Sequence, residues 1–497
     1  MEPPTPLQLY MAQEIALYES RTPKSKAMHE RARKCIPSGV SSCYQLFDPY
    51  PFYVDRSERS SVVDIDGNEM IDIHGGYGVT LFGYKHPYLL DASSRILSEQ
   101  GFTVSLPGTA VVELSEHLAQ RYSMPYWRFL NSGTEATLDA IRLARARHGR
   151  PFIIKIESGY HGHHDAVWVS VHAGARDTSA GAATAESIPQ VPFCSGIPSE
   201  TVDLTLIAEF NNLTTVEALL LSHPGQVACV IVEPVLLNCS MIKPRDGFLQ
   251  ALIELCREHE VAVIFDLVKI NTAVAMKHIT KYWSADTCGP DMYTLGKGLS
   301  GEEATARKIP PHRHLTLLTN SIHKFMTPPP IPLLGGACPV GAIGMTEEFC
   351  RIIESKKVQV SGTYNGNSLA VGIVLAVQTF VTEERQDALE ALSKHMHDGC
   401  QAIIAKHGLP AIVEYIGNKG CITFFKRGVA LTSVRNYQEY IQNFDPVMEQ
   451  LFVYYFINRG IWVQVRDEWS VSYQLSLADA EAFIATFESF AVAVSSL

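Results

Sequence analysis

The spacing of apolar positions divides the chain into three stretches of different rhythm. In the first, Leu7, Tyr10, Met11, Ile15 and Tyr18 recur at helical spacing, so residues 1–48 read as a helical lead-in of mixed charge. Phe52-Tyr-Val54, Ser61-Val-Val-Asp-Ile65 and Met70-Ile-Asp-Ile73 then read as short strands, with a turn at Asp66-Gly-Asn68, forming a small antiparallel piece. From about Gly75 to Ile343 short apolar strands alternate with helices, the pattern of an α/β layer on a mostly parallel sheet. Trp127–Leu130, Phe152–Ile156, Val227–Val232 and Val261–Phe265 are apolar on both faces and largely β-branched, as expected of strands covered on both sides. The segment Gly247–Glu260 puts Phe248, Leu252, Leu255 and Cys256 on one face of a crossover helix. Beyond about residue 370 the pattern becomes helix (Leu369–Glu383), short strands (Ile412–Phe425) and helix (Leu477–Ala493). The expected organisation is an N-terminal helix with antiparallel strands over 1–74, a large α/β domain over 75–368, and a smaller α+β domain over 369–497. There is no internal repeat.

Composition narrows the classes. The chain has 497 residues, 46% of them apolar, which excludes wholesale disorder. Charged residues are only 19%, below the roughly 25% of an average chain, so much surface is expected to be lost to core or subunit contact. A net charge of −11 without long basic runs argues against nucleic acid or an anionic membrane as partner. No apolar run is long enough to span a bilayer, and the amino end lacks the marks of a signal or transit peptide. Eleven scattered cysteines without a C-x-x-C pair point to a reducing compartment, most simply the cytoplasm.

Four sites carry candidate chemistry. In Phe129-Leu-Asn-Ser-Gly-Thr-Glu-Ala136 an apolar strand ends, a Ser-Gly-Thr turn follows and a helix begins. Its free N–H groups and two hydroxyls suit a phosphate, although Ser and Thr are also ordinary N-caps. Gly159-Tyr-His-Gly-His-His-Asp165 invites a metal reading, but neither helical His spacing nor a partnered Cys supports it. Tyr160 and His161 could instead cover the face of a flat heterocycle. Ala262-Val-Ile-Phe-Asp266 delivers a carboxylate at a strand's carboxyl end, where open α/β sheets bind ligands; it caps the next helix or holds a protonated ring nitrogen. Finally, Lys297 follows a short strand; it is either a solvated surface group or a desolvated Schiff-base nucleophile. Together these parts match the needs of pyridoxal 5'-phosphate: Lys297 for the aldehyde, as an internal aldimine, Asp266 for the pyridine nitrogen, and the Ser132–Thr134 turn for the phosphate.

The order and wording of the motifs resemble class III, fold type I pyridoxal-phosphate aminotransferases, nearest the glutamate-1-semialdehyde aminomutase-like and β-amino-acid transaminase branch. The matches are Pro37-Ser-Gly-Val40, Asp66-Gly-Asn-Glu-Met-Ile-Asp72, Gly83-Tyr-Lys-His-Pro87, Asn131-Ser-Gly-Thr-Glu-Ala136, Gly159-Tyr-His-Gly-His-His-Asp165, Ile231-Val-Glu-Pro-Val235, Phe265-Asp266, Leu295-Gly-Lys297, Pro339-Val-Gly-Ala342 and Ser361-Gly-Thr-Tyr-Asn-Gly-Asn367. The resemblance implies that Ser132, Gly133 and Thr134 bind phosphate, Tyr160 stacks on the ring, Asp266 pairs with its nitrogen, and Lys297 is the Schiff-base residue and catalytic base. It implies further that Glu233 ends a strand beside the cofactor, and that Thr363 reaches the phosphate of a neighbouring subunit, hence a homodimer. The implied reaction is ping-pong transfer of an amino group from an amine donor to a carbonyl acceptor.

Departures from the family pattern bear on substrate. Gln45 falls where the aminomutases carry an arginine for the substrate carboxylate, and a neutral amide lacks that bidentate grip. Asp-Glu-Val becomes Asp266-Leu-Val268, and Glu468, near Arg466, is a candidate for an active-site glutamate. Residues 302–334, with six prolines and no period, separate Lys297-Gly-Leu-Ser-Gly301 from the Gly-rich turn that resumes at Gly335. They read as a surface insertion or an untrimmed intervening sequence. The alternatives to a transaminase are an intramolecular aminomutase, a catalytically idle dimeric relative, and a generic phosphate-binding module.

Overall fold

A computed structural model describes residues 3–175, 188–270, 274, 276–280, 282, 289–299, 338–464, 468–495 and 497. The segment 302–334, most of the Gly/Ala-rich stretch 172–187, and Arg466 lie outside them. The N-terminal lead-in forms two helices, Pro6–Arg21 and Pro23–Ala32, the first closed by a capping box between Thr5 and Gln8. Three strands follow: β1 (Val54–Glu58), β2 (Ser61–Asp64) and β3 (Glu69–Asp72). The first begins later than the sequence pattern suggests, because Phe52 leaves the sheet to set its ring edge-on against Trp462, with centroids 4.9 Å apart.

Seven strands build the main sheet: β4 (Tyr126–Leu130), β5 (Phe152–Ile156), β6 (Thr205–Ala208), β7 (Val227–Val232), β8 (Ala262–Asp266), β9 (Met292–Leu295) and β10 (Gly341–Met345). Their order is β4-β10-β9-β8-β7-β5-β6, and every strand runs the same way except β10, which is antiparallel to both β4 and β9. Strand alternation sends Ile153, Ile231, Ile264, Met292 and Ile343 to one face, where they meet Ala136, Ala140, Leu143 and Phe349 of the helices Gly133–His148 and Glu347–Glu354. Ile154, Val230, Val232, Val263 and Phe265 go to the other, against Leu114 and Leu118 of Thr109–Tyr122 and Leu249 and Leu252 of Phe248–Glu258. This double cover is the reason these strands are apolar on both faces. The carboxyl ends of the six strands other than β10 open on one edge, from which the Asn131–Thr134, Glu157–His161, Glu233, Asp266 and Lys297 positions emerge.

The chain closes with β11 (Ala411–Ile416), β12 (Lys419–Phe424), β13 (Ile461–Trp462) and β14 (Glu468–Ser470). The first, second and fourth form an antiparallel sheet in the order β11-β12-β14, whereas β13 pairs parallel to β3 and so ties the C-terminal part to the N-terminal strands. A long helix, Glu383–His407, has no counterpart in the sequence reading; it lies between the helix Ser368–Phe380 and β11, and buries Leu389, Met396, Cys400, Ile403 and Ile404. Its mate is the final helix Leu477–Ser495, and Phe452, Phe456, Phe483, Phe487 and Phe490 fill the core nearby.

One glycine fixes how the sheet meets the helix at the candidate phosphate turn. A Cβ on Gly341 would lie 2.1 Å from the Ser132 carbonyl oxygen and 2.6 Å from its carbon. Because those atoms are backbone, Gly341→Ala is expected to destabilise the chain by about 1–3 kcal/mol, as overpacking does, and urea denaturation checks it. A midpoint unchanged from wild type would contradict that tight approach.

Candidate active site

The sheet edge holds a cavity of about 140 Å³ lined by Gly133, Thr134, Tyr160, His161, Gly162, Glu233, Asn238, Asp266, Val268, Lys269 and Lys297. Seven of the nine residues singled out in the sequence therefore share one wall. The other two lie apart. The Ser132 hydroxyl accepts the Glu135 N–H at 3.1 Å, the ordinary N-cap arrangement, and Thr363 is exposed on a loop where Ser105 Oγ donates to its carbonyl at 3.1 Å.

The two carboxylates at the edge are held by named partners. Asp266 is 3% exposed; its Oδ2 lies 2.8 Å from His161 Nδ1, and its Oδ1 accepts the Val268 N–H at 2.9 Å. His161 is thus an edge partner of the carboxylate, and its Nε2 is buried without a hydrogen-bond partner among the described residues. Glu233 accepts the Tyr160 N–H at 3.0 Å, and burial raises its carboxyl above the usual carboxylate range, with His161 opposing and Asp266 adding to the rise. Lys297 sits at φ +49°, the left-handed region that a long side chain adopts at a cost of about 1–3 kcal/mol. Its Nζ is 6.0 Å from the Tyr160 ring centroid. Desolvation brings its ammonium down to about 8, and the nearby Lys269 charge pushes the same way.

Glycines shape the start of the helix Gly133–His148. A Cβ on Gly133 would lie 2.7 Å from a Val268 methyl, one on Gly296 3.0 Å from Gly133 Cα, and one on Gly162, at φ +96°, 2.9 Å from Thr134 Cα. Ser132 satisfies the Glu135 N–H with its hydroxyl and the Ala136 N–H with its carbonyl, so among the described residues the orphan donors of the first turn are those of Gly133 and Thr134. A bare helix start, a buried carboxylate and a desolvated amine around one cavity are the donor set that pyridoxal phosphate requires. The residues fit the group.

Sequence reasoning missed two lysines. Lys269 Nζ donates to Glu468 Oε1 at 2.7 Å, so the candidate glutamate is brought to the cavity's border by a residue three places beyond Asp266. Lys419 on β12 is buried, with its amine brought down to about 7 by desolvation. An Asp-x-x-Lys spacing after a buried strand was the available signal for the first, and a lysine in an otherwise apolar strand for the second. Gln45, by contrast, turns its amide oxygen to the N–H groups of Ser41 and Ser42, at 3.1 and 3.2 Å, and closes its own turn. Its neighbour Tyr44 is what reaches inward, edge-on to both Tyr77 and Tyr160, with centroids 6.1 and 6.2 Å away.

This architecture, with its ligand edge at the carboxyl ends of a mostly parallel sheet, is that of a fold type I pyridoxal-phosphate enzyme. A family model described as aminotransferase class-III matches residues 45–314. A glutamate-1-semialdehyde 2,1-aminomutase of Methanopyrus kandleri is 29% identical over 95% of this chain and 98% of its own length. Its counterpart in Methanosarcina acetivorans is 33% identical over 78% of this chain and 80% of its own. The crystal structure of a glutamate-1-semialdehyde aminomutase from Pseudomonas aeruginosa PAO1, in complex with PMP, superposes with a TM-score of 0.79 at 23% identity, covering 97% of each chain. The chain belongs to the class-III aminotransferases, and is a pyridoxal-phosphate-dependent enzyme with transaminase or aminomutase activity.

The depressed Lys297 amine gives a direct check that needs no substrate. The neutral amine is the reactive form, so lowering the pKa makes it available at lower pH. Reductive methylation of Lys297 by formaldehyde and cyanoborohydride in the cofactor-free protein, followed by peptide mass spectrometry, should rise through a midpoint near pH 8. A midpoint at the ordinary lysine value of 10.5 would contradict the desolvated setting.

Proposed function

We propose that this cavity seats pyridoxal phosphate and that the enzyme moves an amino group between an amino acid or amine donor and a keto acid or aldehyde acceptor, in two half-reactions. The observation that carries the reading is the gathering of Lys297, Asp266 and the bare helix start around one cavity. Gly133 and Thr134, on the helix that Ser132 caps, would hold the phosphate, Tyr160 would lie on the face of the ring, His161 would stand at its edge behind Asp266, Asp266 would keep its nitrogen protonated, and Lys297 would hold its aldehyde carbon. When bound, the cofactor supplies an electron sink for the pair left when a bond at the substrate carbon breaks. His161 fixes the Asp266 carboxylate in one orientation, and Glu233 fixes the Tyr160 backbone. The Lys297 amine, neutral above about pH 8, takes a proton from the substrate carbon and delivers it at the second site of the half-reaction.

The shared name of the two curated relatives favours a second reading, an intramolecular amino shift. The engagement of Gln45 in its own turn speaks for the transaminase, since the residue at the arginine position offers the substrate no cation. Product formed from a single substrate, with no carbonyl acceptor added, would decide for the shift.

A second copy of the chain suits the loop that bears Thr363. Phe102 and Tyr364, with ring centroids 6.4 Å apart, lie with Leu106 in an exposed apolar patch around it. A homodimer would cover this patch and bring Thr363 to the partner's phosphate. The ten described cysteines are all unpaired, in keeping with a cytoplasmic enzyme, and among the described residues no helix is long and apolar enough to cross a membrane.

Lys297→Ala should lower turnover with an amine donor and a keto acid by about 10²–10⁴-fold and remove the visible absorbance of the covalently held cofactor. Turnover retained in that variant would overturn the assignment.

A further inference from the structure

Lys269 has no part in holding the cofactor in the reading above, yet it lines the same cavity and is 8% exposed. Its ammonium has three hydrogens and three acceptors: the Leu237 carbonyl at 3.1 Å, Asn238 Oδ1 at 3.0 Å and Glu468 Oε1 at 2.7 Å. The first two belong to one turn beyond β7 and fix the head group. The third is a carboxylate carried by β14, in a different sheet. Behind it stands a second buried lysine. Lys419 pairs with Ser470 and Cys421 with Glu468 across β12 and β14, so Lys419 and Glu468 are diagonal neighbours on one face of that sheet. Among the described residues the Lys419 ammonium makes one hydrogen bond, to Ser470 Oγ at 3.1 Å, and it occupies the space that a side chain on Gly78 would need. Two buried lysines thus stand on either side of one carboxylate, which bonds Lys269 alone among the described residues, while desolvation draws the Lys419 amine down to about 7.

We propose that Lys269 is the residue that takes the carboxylate of the amino substrate, with Glu468 occupying that position in the free enzyme and passing to Lys419 when substrate enters. The inference rests on the transaminase reading and narrows its substrate class to amino acids rather than simple amines. The exchange is like for like on Lys269, where one carboxylate replaces another, while Lys419 gains an acidic partner that it lacks among the described residues and that favours its protonated form, the proton coming from solvent. Lys269 Nζ lies 6.0 Å from the Tyr77 ring centroid, as Lys297 Nζ does from Tyr160, and Tyr44 touches both tyrosines. A tyrosine ring thus stands near each amine, and these apolar faces suit a carbon skeleton joining the substrate's amino and carboxylate groups.

Equilibrium dialysis of the holoenzyme with radiolabelled 4-aminobutyrate and, separately, propylamine tests this without requiring turnover. Wild type should bind the amino acid about tenfold or more tightly than the amine, as a hydrogen bond between charged groups implies. Lys269→Met should bring that ratio to about one, Lys269→Arg should restore most of it, and Glu468→Gln, which removes the competing carboxylate, should strengthen amino-acid binding several-fold. A gain of affinity cannot come from misfolding, so the last variant stands even if Lys269→Met folds poorly. The proposal is overturned by a wild-type ratio near one, by a ratio that survives in Lys269→Met, or by weaker binding in Glu468→Gln. Failure of the transaminase reading looks different: no amino transfer from any donor to any acceptor, whatever the dialysis ratios.

Discussion

A carboxylate at the end of a fully covered strand is tolerable only when its charge is answered, and Asp266 is that group here. Burying an isolated carboxylate costs several kcal/mol, so the carboxylate needs both His161 on one oxygen and the Val268 N–H on the other. This requirement organises the cavity. It sets the His161 ring on the edge rather than the face of the site. It draws the Gly159–Asp165 loop over the sheet, and it places Val268 against Gly133, where only a glycine fits. The bare helix start and the carboxylate are thus two ends of one packed contact.

The same low-dielectric setting penalises charge on the lysines as it does on the carboxylates. Desolvation first, and the neighbouring Lys269 charge second, make Lys297 and Lys419 lose their protons more readily than lysines in water. Lys155, at the core of β5, follows the same rule, at about 7, with its Nζ on the Val169 carbonyl at 2.8 Å. The difference lies in surroundings: Lys155 is sealed among strands, whereas Lys297 opens on the cavity. Burial alone marks none of them as chemical.

Much of this was legible in the sequence. The strands Phe152–Ile156 and Val227–Val232 were visible at their observed limits because apolar runs covered on both faces carry no competing pattern. Asp266 and Lys297 stood out as charged residues closing such runs. What stayed hidden depends on partners far along the chain. The β13–β3 pairing joins segments from opposite ends of the sequence, and no local period announces it. The Lys269–Glu468 pair likewise spans two sheets, and Lys269 taken alone resembles any polar residue in a loop. The helix Glu383–His407 was overlooked because its polar face dominates the composition, although Leu389, Met396, Ile403 and Ile404 keep helical spacing.

The left-handed backbone at Lys297 has an implication for anyone who evolves or engineers this scaffold. Glycine would relax that torsion freely, so a chain robbed of its working amine should be the sturdier molecule. Screens that reward heat resistance alone would then drift toward dead enzymes, and survival at high temperature would be a poor proxy for competence at this position.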